Sequence, residues 1–330
     1  MLITIISLIK VVRLSSTFRC LALLGILFLN GCDSIPQNVL KVGTNLWPGY
    51  ESLYLAQDLG YFDNKPIKLV ELPSATEVSH AFRNGALDVA ALTLDEALVL
   101  MQYVPDLRVI LVMDVSAGAD VLLAKPTITS LAGLKGKRVG VENTAVGAIL
   151  LDGALHAEKL NISDIKFQSI MVNEHESAYK NGLVDAVVTF EPHKSKLISL
   201  GAITLFDSSQ IPGRIVDVLV TRQSVIEQDK EPLKTVIASH FKALEYLKQN
   251  TSDATLRIAP RLGVPSTEVM KQFEGITLPN VLENHNYLSV ESSTLSAAVD
   301  KLISLMKGKK LLFKSIDPSK LINGNFLPAK

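Results

Sequence analysis

One nine-residue pattern occurs twice in this chain. Ala81-Phe82-Arg83-Asn84-Gly85-Ala86-Leu87-Asp88-Val89 returns as Ala178-Tyr179-Lys180-Asn181-Gly182-Leu183-Val184-Asp185-Ala186, an offset of 97 residues. Each copy reads as an amphipathic helix stopped by a glycine that can take the left-handed conformation, then a short apolar strand opened by Asp. The same offset carries Val42-Gly43 onto Val139-Gly140 and Asp120-Val121-Leu122 onto Asp217-Val218-Leu219. Ile67-Lys68 and Ile165-Lys166 differ by 98, so a compensated insertion lies inside the repeat. A period of 20–50 residues would mark a solenoid; one near 100 marks two related lobes.

The chain has 330 residues, 48% of them hydrophobic and 20% charged, which suits two lobes with substantial cores. Its amino terminus has the parts of an export signal: Lys10, Arg13 and Arg19 with no acidic residue, an apolar run from Leu21 to Leu29, and a small residue before Cys32. Nine apolar residues are too few to span about 30 Å of hydrocarbon. Leu29-Asn30-Gly31-Cys32 resembles the lipobox of bacterial lipoproteins, which implies that Cys32 becomes the lipidated first residue. Asp33 behind it resembles the residue that retains such proteins at the inner membrane. Without the leader, 30 basic residues face 33 acidic ones, which gives no support to nucleic-acid binding. Cys20 leaves with the leader, so the folded body has no thiol for a disulfide, a metal cluster or a nucleophile.

Strands and helices alternate along the chain. Strands are expected at 67–71, 88–92, 109–113, 121–124, 138–141, 165–170, 185–189, 203–206 and 215–221, and helices at 51–60, from 73, from 93, 146–160, from Pro192, 232–249 and 290–306. This alternation implies an α/β fold with mainly parallel sheets, in which ligands gather beyond the carboxyl ends of the strands.

Val42-Gly43-Thr44-Asn45-Leu46-Trp47-Pro48-Gly49-Tyr50, then Leu53-Tyr54-Leu55-Ala56 and Gly60-Tyr61-Phe62, resembles the opening of the nitrate/sulfonate/taurine and thiamine-pyrimidine branch of solute-binding proteins. The resemblance continues through Asn84-Gly85 with Asp88, Gly136-Lys137-Arg138-Val139-Gly140, and Asp185 with Glu191-Pro192, covering about residues 41–222. It implies a two-lobed, type II periplasmic binding protein fold, two crossing segments, and a lipid-anchored monomer at the periplasmic face of the inner membrane. Such a protein captures a small solute without a cofactor or metal and delivers it to an ABC permease and ATPase complex. The expected division is 1–31 signal, 32–40 tether, 41–115 with 218–330 as the first lobe, 121–213 as the second, and crossings at 116–120 and 214–217. A sensor that reports its ligand to a membrane receptor is the alternative. Enzymes of the pyrimidine and menaquinone pathways share the fold, but the synthase's cysteine-rich motif has no counterpart here.

Helix starts that follow parallel strands turn unpaired N–H groups toward the crevice. Those turns place Asn45, Trp47, Tyr50, Ser74, Thr76, Thr93, Asp95, Glu142, Asn143, Thr144, Thr189 and Glu191 as ligand-binding candidates, with Phe190 beside them. They supply three carboxylates and no Lys or Arg, which opposes an oxyanion and favours an amine or an aminated ring against the aromatic wall. Among the six histidines only His193 lies near these turns, and no catalytic residue is expected.

Overall fold

Gly85 and Gly182 both end a helix with positive φ, +77° and +69°. After each, the same backbone bond closes the turn: the N–H of Ala86 reaches the carbonyl of Ala81, and that of Leu183 the carbonyl of Ala178 (2.9 Å each). Asp88 and Asp185 then act alike. The Asp88 carboxylate accepts from the N–H of Lys41 (2.8 Å), and the Asp185 carboxylate from that of Arg138 (3.0 Å), pinning a strand start in each half. A Cβ at position 85 would meet nothing and at 182 only the end of Lys125, so the cost of a side chain there is conformational. Gly182→Ala is therefore expected to cost about 1–2 kcal/mol, read as a lowered urea midpoint with unchanged slope.

The computed structural model describes residues 39–289 and 294–330. The expected signal, Cys32, Asp33 and most of the tether lie outside them, as do the first four residues of the helix expected at 290–306. Leu40, the last residue assigned to the tether, already starts a strand. In chain order the strands are β1 (Leu40–Thr44), β2 (Ile67–Glu71), β3 (Val89–Thr93), β4 (Leu107–Ser116), β5 (Val121–Ala124), β6 (Arg138–Val141), β7 (Lys166–Ser169), β8 (Ala186–Thr189), β9 (Ile203–Asp207), β10 (Val216–Arg222) and β11 (Ile276–Thr277). The helices of the two repeats are α1 (Glu51–Asp58), α2 (Ala75–Arg83), α3 (Leu94–Met101), α4 (Ala145–Ala157), α5 (His175–Lys180) and α6 (His193–Ser199). Those of the tail are α7 (Gln223–Gln228), α8 (Lys230–Gln249), α9 (Thr251–Leu262), α10 (Val269–Gln272), α11 (Val281–Tyr287) and α12 (Thr294–Gly308).

Two sheets form, and they repeat one another. The first has the order β11-β4-β10-β3-β1-β2, the second β7-β6-β8-β5-β9. Read from β2 and from β7 inward, the five shared places match, and so does the register: Val42 pairs with Val89 where Val139 pairs with Ala186, 97 residues on. Both sheets are mixed, because each takes one antiparallel strand from a crossing. β10 sits between β3 and β4, and β5 between β8 and β9. Residues 117–120 lead out of the first sheet and 208–215 lead back. These segments are tied together by Ser208, whose hydroxyl pairs with that of Ser116 (2.7 Å) and accepts from the N–H of Gly118 (2.6 Å).

Buried strands explain their apolar runs. β3 and β5 are buried at every position, as central strands with both faces covered should be. α8 packs on α1 and α12 on α3, while β11, too short to stand out in the sequence, adds to the edge at β4. Among the described residues no helix is long and apolar enough to cross a membrane.

Candidate functional site

The carboxyl ends of the strands bring five acids together. Asp95 and Glu96 stand in the first turn of α3, just past Thr93 at the end of β3. Asp217 on β10 pairs directly with Thr93 on one side and with Asp114 on β4 on the other, so two carboxylates face each other across adjacent strands. Like charges so placed repel. Asp120, the repeat equivalent of Asp217, comes from the crossing that precedes β5. None of the five is more than 6% exposed.

Aromatic residues from the turn after β1 and from the end of β8 close over this cluster. Trp47 donates its indole N–H to Asp114 (3.0 Å) and Tyr50 its hydroxyl to Asp217. Phe190 stands edge-on to Trp47, with ring centroids 5.4 Å apart at 89°. The backbone between the two donors passes so close to Asp114 that a Cβ on Gly49 would run into its carboxylate, which fixes glycine there. Between the walls lies a cavity of about 30 Å³. The first lobe lines it with Asn45, Trp47, Tyr50, Ala75, Thr93, Glu96 and Asp217. The other side brings Asp120, Val146 and Phe190.

Burial dominates the electrostatics. It pushes Asp120 up to about 6, Asp95 and Asp114 to about 7, and Glu96 to about 8, and it holds Asp217 well above the usual carboxyl range, with neighbouring carboxylates adding to the rise. Among the described residues none of the five forms an ion pair. Glu96 accepts from the N–H of Thr93 through Oε2 (3.1 Å), but its Oε1 has no partner there, nor have Oδ2 of Asp120, Oδ1 of Asp114 and both oxygens of Asp95. Lys194 is the cation whose field reaches Asp120; its ammonium donates to the carbonyl of Gly118 (3.2 Å) and lies 3.7 Å from Glu191.

The candidates named from the sequence divide into groups. Asn45, Trp47, Tyr50 and Thr93 line the cavity, and Asp95 is buried in the acid cluster without lining it. Thr76 and Glu142 face each other across the crevice, where the N–H and hydroxyl of Thr76 donate to Glu142 (3.1 and 2.6 Å). Asn143 and Thr144 line a neighbouring, wider chamber. Ser74 caps α2 through Glu77, and Thr189 contacts His175 (3.1 Å). Glu191 accepts from the N–H and hydroxyl of Ser195 (2.9 Å each) and lies outside the cavity lining, so its charge is already engaged. Sequence reading left out Glu96, Asp114, Asp120 and Asp217. The signal for two of them was present: Asp120 and Asp217 are the same position of the repeat, a carboxylate at the start of an apolar run.

Two lobes of mixed sheet joined by two crossings, with a polar site sunk at the strand ends between them, define the periplasmic binding protein fold. The chain belongs to the NMT1-like family, whose model matches residues 33–259. It is similar to the periplasmic aliphatic sulphonate binding protein SsuA from Escherichia coli, with a TM-score of 0.69 and 20% identity over 86% of this chain and 96% of that one. A ligand-binding component of an ABC-type import system from Staphylococcus aureus, solved with zinc bound, aligns with a TM-score of 0.72 and 15% identity over 88% and 98%. The desulfurization enzyme DszB shares the fold as well, with a TM-score of 0.61 and 15% identity over 87% and 97%. At such identities the likeness establishes the fold. No curated protein matches the sequence.

Proposed function

We propose that this protein is the solute-binding component of an ABC-type importer and that it captures a small organic cation in the cleft. In this reading lipid on Cys32 holds it at the periplasmic face of the inner membrane, and it hands its solute to a permease rather than acting as an enzyme. The observation that carries the choice of ligand is the group of five buried acids without an ion pair, of which Glu96, Asp120 and Asp217 line the cavity under Trp47, Tyr50 and Phe190. An oxyanion brought there would be opposed by these acids as they ionise, and the nearby Lys194 is already engaged by Gly118 and Glu191. An ammonium would supply the missing partner of Glu96 Oε1 and Asp120 Oδ2, and the aromatic faces would add cation–π attraction.

The cavity narrows the choice beyond what the sequence suggested. About 30 Å³ is room for an ammonium with its first methylene, since a single water needs about 10–15 Å³, and it does not admit a ring. A primary amine therefore fits better than the aminated heteroaromatic first expected. Calorimetric titration with butylamine, an aminopyrimidine, taurine and nitrate tests the assignment. The amine should bind, and nitrate should not; tight binding of nitrate with none of the amine would overturn it.

A further inference from the structure

Glu96 lines two spaces. One is the carboxylate cavity; the other is a chamber of about 220 Å³ that opens outward along α3. Glu96, Val99 and Leu100 line this chamber at i, i+3 and i+4 on one face of α3, and Tyr103, in the turn just past the helix end, continues the stripe. Its charge reverses from end to end. The inner end is the buried acids, whereas Tyr103 at the outer end has Arg83 over its ring at 5.1 Å and Lys314 at 4.9 Å. Arg83 lines the chamber and forms no ion pair among the described residues. Asn143 and Thr144 from the second lobe complete the wall, and Glu142, at the seam, is engaged by Thr76. The middle of the stripe, Val99 and Leu100, is apolar.

Resting on the cation reading of the cleft, we propose that the ligand is a linear zwitterion. Its primary ammonium enters the carboxylate cavity, its methylene chain passes Glu96 onto Val99 and Leu100, and its anionic end lies in the outer chamber beside Arg83. A polyamine would place its second positive charge against Arg83 and Lys314, and a simple amine would leave the outer chamber unused. A carboxylate or other anion at that end meets a guanidinium suited to paired hydrogen bonds.

The test is calorimetric titration of the unaltered protein and of Arg83→Gln with four probes: hexylamine, ε-aminohexanoate, hexamethylenediamine and hexanoate. Arg83 is exposed, so its replacement leaves the core intact. The unaltered protein should bind ε-aminohexanoate at least about five-fold more tightly than hexylamine, the worth of a partly exposed charge-assisted pair. Arg83→Gln should erase that difference and leave hexylamine unaffected. Equal binding of ε-aminohexanoate and hexylamine by the unaltered protein, or tighter binding of the diamine, would overturn the outer subsite while leaving the cation site standing. If hexanoate binds and hexylamine does not, or if no probe binds, both readings fall together.

Discussion

Raising the pH from about 6.5 to about 8.5 is expected to destabilise the ligand-free protein and, over the same interval, to tighten its hold on an organic cation. The folded values of Asp120, Asp95, Asp114 and Glu96 lie at about 6, 7, 7 and 8, and that of Asp217 is raised too, whereas the unfolded chain ionises its carboxyls near pH 4. The folded state thus binds more protons, and the stability these acids contribute is fully present below the unfolded value and lost as pH rises through the folded ones. Each carboxyl that remains protonated in the fold steepens the loss by about 1.4 kcal/mol per pH unit. Because the acids titrate as a group, two protons held across the interval amount to about 5–6 kcal/mol, a fall of about ten degrees in Tm. Two buried histidines act oppositely but elsewhere. His175 and His240 are pushed down to about 4 and 3, so their contribution is present above about 6.5 and lost only as pH falls below it. Tyr50 is raised further above its ordinary alkaline range and stays neutral throughout. A cation reverses the balance by favouring the ionised acids, so its affinity should rise about ten-fold per pH unit for each proton it displaces. Thermal melts across the interval, with calorimetry in buffers of different ionisation heat to count protons, check both arms. A Tm and an affinity that stay level from about 6.5 to 8.5 would remove the cluster's role.

The architecture was legible because it is written in backbone-determining residues. Asn84-Gly85 and Asn181-Gly182 stop helices, Asp88 and Asp185 pin strand starts, and the 97-residue offset reappears as an identical strand register in both sheets. The turns after β1 and β3 were legible as well, since a helix start following a strand must point its free N–H groups outward. The acids behind them were not. Asp114 closes an apolar strand and Asp217 opens one, and whether such a residue faces a neighbour's carboxylate depends on a pairing between strands about 100 residues apart. That β10 leaves its own half to lie between β3 and β4 cannot be read from periodicity, yet this exchange alone sets Asp217 beside Asp114 and Thr93. Glu191 shows the converse. It sits at a turn equivalent to those that line the cavity, but Ser195, one helical turn on, satisfies it locally.

Asp217→Asn should weaken cation binding by about 2–5 kcal/mol, a loss of roughly thirty-fold to several thousand-fold, and at the same time stabilise the ligand-free protein. The substitution keeps the shape and still offers Tyr50 an oxygen to donate to, while its amide can donate to the facing Asp114 as the protonated carboxyl does. Because asparagine cannot ionise, the cost of ionising a second buried group beside Asp114 disappears, so the urea midpoint should rise at the alkaline end of the interval and the pH dependence described above should flatten by about one proton. Opposite signs on binding and stability separate a ligand-facing acid from a structural one, because loss of a structural partner lowers both. Glu191→Gln is the matching control. Its carboxylate is held by Ser195 and Lys194 outside the cavity, so affinity for the amine should change by less than about two-fold. Were Asp217→Asn to leave amine affinity unaltered, or to destabilise the empty protein while Glu191→Gln abolished binding, the ligand would have to sit elsewhere in the crevice and the buried acids would need a different explanation.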